Sequence, residues 1–164
     1  LSDQAAYELK LSGSGLADLM QSVLGRGVSF RFKAGGFSMT PFIRDKDVLT
    51  VSGATASETG VGDVVAAVSP VTGWVNVHRV VRNTRQGFLI KGDNCSEPDG
   101  LFARNAIVGV ITSVERNGKK VWFGNGIGKK IIAFTSRIGV LNRLILPFLR
   151  IFRRFLPSFG YLCT

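Results

Sequence analysis

Histidine occurs once in this chain, at position 78, cysteine occurs twice, and aspartate and glutamate are absent beyond Glu115. Each shortage excludes something. Cys95 and Cys163 cannot form a disulfide framework and lack the spacing of a zinc site, so no metal or other cofactor is expected. With one imidazole available, general-base chemistry near neutral pH falls to His78, to a perturbed lysine or to a carboxylate. The opening stretch is polar and begins with Leu1, so neither a basic secretory leader nor an N-terminal membrane anchor is expected.

The missing acids also locate the charge. The formal net charge is +10, but residues 1–115 hold eleven basic and eleven acidic residues, and the last 49 hold ten Lys or Arg and no acid. The basicity therefore belongs to a tail. A core domain built to bind nucleic acid is not expected.

A chain of 164 residues fits one domain with appendages. Leu16, Leu19, Met20, Val23 and Leu24 recur at helical spacing, predicting a short helix over Gly15–Leu24 that ends at Gly25-Arg26-Gly27. From Val28 the texture changes to short Val, Ile and Phe runs separated by turn residues. The predicted strands are Val28–Lys33, Val48–Val51, Asp63–Val68, Trp74–Arg82, Gly87–Lys91, Ala106–Val114 and Lys120–Phe123. Turns are marked by Arg44–Asp47, Pro70–Gly73, Arg85–Gly87 and the hairpin signal Asn117-Gly118. This divides the chain into an N-terminal helical segment (1–27), a β domain (28–124) and a basic apolar tail (125–164).

Residues 131–156 are strongly apolar, but Arg137, Arg143, Arg150, Arg153 and Arg154 interrupt them, and the uncharged runs fall far below the roughly 20 residues a spanning helix needs. Beyond Pro147, Arg150, Arg153 and Arg154 share one helical face, while Phe148, Leu149, Ile151, Phe152, Phe155 and Leu156 cover the rest. A basic amphipathic helix of this kind predicts peripheral attachment to an anionic membrane surface, on a side the sequence does not specify, the cytoplasmic one included. The plainer alternative is a tail that packs on the domain or a protein partner with its arginines solvated.

Three segments carry candidate chemistry. Gly35-Gly36-Phe37-Ser38-Met39-Thr40-Pro41 sets a serine in a glycine-rich bend, which alone marks only a turn. Val77-His78-Arg79-Val80-Val81 places the histidine inside an alternating strand. Gly87–Lys91 then runs into a loop offering two carboxylates, Asp93 and Asp99, to orient an imidazole.

In order, Gly-x-Ser-Met-x-Pro with its following Asp-rich turn, Gly62-Asp63-Val64-Val65, His78-Arg79-Val80-Val81, Lys91-Gly92-Asp93-Asn94 and Val108-Gly109-Val110 resemble the signal peptidase superfamily over roughly Phe30 to Val114. The usual bacterial signal peptidases and the self-cleaving repressors use a lysine base. The endoplasmic-reticulum, archaeal and some Gram-positive forms use histidine, as this chain does. The resemblance implies a mainly β fold of coiled antiparallel sheets and an endopeptidase that cleaves leader or signal peptides after small residues. It also implies Ser38 as nucleophile, His78 as base and Asp99 as orienting acid ahead of Asp93, which is otherwise loop-stabilising or the alternative partner.

Two departures matter. Many relatives carry a serine two positions before the nucleophile to donate to the oxyanion, where this chain has Gly36, and relatives carry an N-terminal transmembrane anchor, which is not expected from the polar opening stretch here. They keep open a second reading: a catalytically inactive or self-cleaving regulatory relative that binds peptides or membranes.

Overall fold

The computed structural model describes residues 13–54, 58–124, 126 and 128–137. Its centre is an eight-stranded antiparallel sheet. The strands are β1 (Phe30–Lys33), β2 (Val48–Ser52), β3 (Val64–Val68), β4 (Val75–Asn83), β5 (Phe88–Lys91), β6 (Gly100–Phe102), β7 (Ile107–Arg116) and β8 (Lys119–Lys120), in the spatial order β1-β2-β7-β3-β4-β5-β6, with β8 on β7. β-branched and aromatic residues at alternate positions drive this pairing, because each face of the sheet covers a core. Val64 to Ala67 are buried on both faces, as befits a central strand.

One core gathers Met20, Leu24, Met39, Ile43, Leu49, Val51, Val64, Ala66, Ile111, Val114 and Phe123, and the other Val65, Ala67, Val80, Phe88, Ile90, Phe102 and Ile107. Helix α1 (Gly13–Leu24) closes the first with its buried stripe Ala17, Met20 and Leu24. It stops where the Gly27 N–H donates to the Leu24 carbonyl at φ 74°, a left-handed helix end that glycine adopts without strain. Four antiparallel steps separate β1 from β4, so the two run in the same direction. β1 leads from its C-terminal end into the Ser38 loop, and β4 meets that loop with its first half, Val75 to His78.

The mainly β architecture and the N-terminal helix agree with expectation, with three differences. β6 occupies what reads as loop, because three residues are too few for periodicity; pairing of Leu89 with Leu101 and Ile90 with Gly100 creates it. Lys120–Phe123 shortens to β8, which flanks the Asn117-Gly118 hairpin where both residues have positive φ. The carbonyls of Phe123 and Gly124 leave the ladder because Arg79 takes them as acceptors.

The third difference concerns the tail. Helix α2 (Gly128–Arg137) begins before Ile131, and Ile132, Ala133 and Ser136 are buried against the domain beside β4. Lys129 pairs with Asp63 at 2.6 Å, and the Lys91 ammonium donates to the Ser136 carbonyl at 2.8 Å, where a cation suits a helix C-terminus. The start of the tail thus packs on the domain; the amphipathic run beyond 137 lies outside the described residues. Among the described residues no helix is long and apolar enough to cross a membrane.

The loop from Ser38 to β2 is pinned by Asp47. Its buried carboxylate accepts from the Arg44 N–H at 2.8 Å and from Arg116 Nε and Nη2 at 2.8 and 2.7 Å. The hydrogen bonds that Arg116 donates to Asp47 raise its guanidinium above its ordinary value, against the opposing pull of burial. On the arginine side the contribution is therefore complete below that ordinary value and is lost only above it. Asp47→Ala is expected to cost about 2–4 kcal/mol in urea unfolding, since it strands a cation and a backbone donor together.

Candidate active site

Two strands and two loops bring the expected residues together. His78 lies in β4 opposite Val65 of β3, one residue before β5 joins at Arg79 and Lys91. Among the described residues no strand pairs with its β5-side edge, and its ring meets side chains from two loops. His78 Nε2 lies 2.8 Å from Ser38 Oγ, and Nδ1 lies 2.5 Å from Asp99 Oδ2. A carboxylate only accepts, so Nδ1 carries the proton given to Asp99, and Nε2 is left to accept from the Ser38 hydroxyl. That is the tautomer in which an imidazole activates a serine.

Backbone pairing fixes the two loop residues. The Asp99 N–H donates to the Ile90 carbonyl at 3.0 Å, extending the β5–β6 ladder, so the carboxylate sits at the mouth of a strand. Ser38 is held from the opposite loop: the Asn94 N–H donates to the Ser38 carbonyl at 2.7 Å, and Asn94 Nδ2 to the Phe37 carbonyl at 3.1 Å. Gly92 makes this approach feasible. A Cβ there would lie 2.7 Å from the Ser38 carbonyl oxygen and 3.2 Å from His78 Nε2.

Asp93 does not join them. It is fully buried and faces Arg79, which is also fully buried; Nε and Nη2 of Arg79 donate to its carboxylate at 2.9 and 2.8 Å. The same guanidinium donates to the carbonyls of Gly62, Phe123 and Gly124. The expectation that Asp93 is an alternative partner of His78 is therefore corrected. Adjacent residues of a strand point to opposite faces, so His78 and its neighbour Arg79 recruit different aspartates of one loop.

The serine sits in a turn closed by the Thr40 N–H donating to the Phe37 carbonyl at 3.1 Å. Among the described residues no group accepts from the backbone N–H of Ser38 or Met39, the two central residues of that turn. The Gly36 N–H, by contrast, is committed to Asp45 Oδ1 at 3.0 Å, and Gly36 holds φ 88°. A side-chain donor at position 36 would need a left-handed backbone that only glycine takes readily.

A cavity of about 270 Å³ opens on Ser38 and His78, walled by Phe32 and Ala34 from the β1 side, Val75 and Val77 of β4, and Leu16 of α1. Sequence reasoning missed Leu16, Gly92, Asn94 and Arg79 as parts of this site. Leu16 reads as an ordinary core position of an amphipathic helix. Gly92, Asn94 and Arg79 stand inside the motifs, but only tertiary pairing tells what they hold.

No protein-family model matches this chain, and no curated protein matches it.

Asp93→Asn weakens the partner of a fully buried guanidinium, and is expected to lower unfolding stability by about 3–5 kcal/mol. Asp99→Asn, at an exposed position whose carboxylate faces His78, is expected to cost less than about 1 kcal/mol. Denaturant titration of the two variants side by side checks the division of labour.

Proposed function

We propose that this chain is a serine endopeptidase of the signal-peptidase type, with Ser38 as nucleophile, His78 as general base and acid, and Asp99 as the group that orients and charges the imidazole. The observation that carries this reading is the continuous hydrogen-bonded line Ser38–His78–Asp99, assembled from residues 40 and 21 positions apart. A serine within hydrogen-bond reach of an imidazole that a third group orients is the signature of an activated nucleophile. The antiparallel sheet, with β1 and β4 flanking the cleft, is consistent with the coiled sheets that the motif order implies.

The chemistry follows from the geometry. Ser38 Oγ attacks the scissile carbonyl carbon as its proton passes to His78 Nε2, and Asp99 stabilises the resulting imidazolium through Nδ1–H. The negative oxygen of the tetrahedral adduct needs preorganised donors, which the unpaired N–H groups of Ser38 and Met39 supply. On collapse, the carbon–nitrogen bond breaks and Nε2 gives its proton to the departing amine. Water, deprotonated by the same Nε2, then attacks the acyl carbon, the carbon–Oγ bond breaks, and Nε2 returns the proton to Ser38 Oγ.

The cleft suits an extended peptide. Among the described residues β1 is the last strand of the sheet, and β4 from Val75 to His78 pairs with β3 alone. A substrate strand between these edges gains main-chain hydrogen bonds that do not depend on its sequence, and the apolar wall selects its side chains. Leader or signal peptides cut after small residues are the substrates this reading implies. Gly36 is accommodated because the turn offers backbone donors without a side-chain hydroxyl there.

Ser38→Ala and His78→Ala are expected to abolish cleavage of peptides that carry alanine before the scissile bond, read by mass spectrometry. Asp99→Asn should lower kcat by about 10²–10⁴-fold. Turnover that survives Ser38→Ala sinks the assignment.

Leu16→Ala widens one wall of the cleft, and since side chains of an extended substrate alternate in direction, a single subsite should change. A peptide library is expected to show tolerance of larger residues at one position near the scissile bond, with the other positions unaltered. An unchanged profile would remove Leu16 from the specificity wall.

A further inference from the structure

Helix α2 is apolar on two opposite sides. Ile132, Ala133 and Ser136 are buried against the domain, whereas Ile131 and Phe134 are 62% and 63% exposed. At about 100° per residue, the direction between Ile131 and Phe134 lies opposite the buried stripe. A helix docked by one face normally turns polar residues outward, and this one does not.

Trp122, 58% exposed, adds to the outward side. Its ring lies over Gly128, one helical turn before Ile131, where a Cβ would come within 2.6 Å of it. It also packs edge-on against Phe42, with ring centroids 5.8 Å apart. The exposed charges in this part of the chain are Lys119, Lys120, Lys130 and Arg137, and nothing from Arg116 onward is acidic. Asp63 is occupied by Lys129, and Glu115 by Arg31.

We infer that Trp122, Ile131 and Phe134 form a docking face for an anionic lipid surface, flanked by the cations of β8 and α2. Charge complementarity selects this occupant. A second copy would set cations against cations, and residues 138–164, whose only charges are arginines, would do the same. An anionic bilayer interface satisfies both halves of the patch: the indole and the two apolar side chains enter the headgroup boundary, and the lysines and arginine meet the lipid charge. Phe42 connects the face to the loop that begins at Ser38, so a docked molecule holds its cleft near the lipid. The inference is independent of the peptidase reading.

The test uses the full chain with Trp74→Phe, which leaves Trp122 as its one tryptophan, and vesicles of phosphatidylcholine alone or mixed with phosphatidylglycerol. The expected result is a blue shift of Trp122 emission on the mixed vesicles only, reversed by salt. Adding Ile131→Ser and Phe134→Ser should weaken partitioning roughly tenfold with the unfolding midpoint nearly unchanged. Three outcomes overturn the inference. Vesicle binding with unshifted Trp122 emission places contact elsewhere in the tail. Emission already blue in buffer at every protein concentration means the chain covers its own patch. A shift that follows protein concentration rather than lipid means that a second copy does.

Discussion

The buried pair of Arg79 and Asp93 is the constraint on which the rest of the site depends. Arg79 follows His78 in β4, and Asp93 follows Gly92 in the loop that touches Ser38, so one ion pair sets the spacing between the strand of the imidazole and the loop behind the serine. The guanidinium also holds the carbonyls of Gly62, Phe123 and Gly124 and lies 5.7 Å over the Phe42 ring. Such a pair need not make the protein more stable than an apolar cluster of the same volume, because desolvating both charges offsets much of their attraction. What it contributes is direction. A planar fork with fixed donors accepts one arrangement of its partners, where packed aliphatic groups would accept several.

That arrangement explains why Gly92 and Asn94 stand beside Ser38 and His78. Ser38 must present its hydroxyl to Nε2 while its own carbonyl lies within reach of the Asn94 N–H, which requires backbone to approach backbone at Gly92. Asn94 then spans the gap with both its main-chain and side-chain nitrogens. The result is a serine turn braced by the Asn94 loop, in which, among the described residues, the N–H groups of Ser38 and Met39 have no acceptor.

Much of this was legible in the residues. The alternation of Val, Ile and Phe specified the strands, and the order of short motifs pointed to Ser38 and His78. Other parts were not. Asp93 and Asp99 lie six residues apart in one loop, and nothing in composition distinguishes them; the choice is made by which face of β4 each meets. β6 carries no periodic signal because pairing with β5 alone makes it a strand. Leu16 has the spacing of a core residue, and its place in the cleft wall follows only from where α1 crosses the sheet.

In the tail, the onset of basic composition and the limit of domain packing are separate matters. The excess of arginine and lysine is real, yet its onset does not coincide with the end of the folded domain: α2 seats Ile132 and Ala133 in the domain and draws Lys91 to its C-terminal carbonyls. A helix bound in this way cannot turn its inner side to another partner. Its outer side must then face water or a second surface, and leaving Ile131, Phe134 and Trp122 in water forgoes the burial that drives most association. The packing that removes one face of α2 from consideration is thus what gives the other face its meaning.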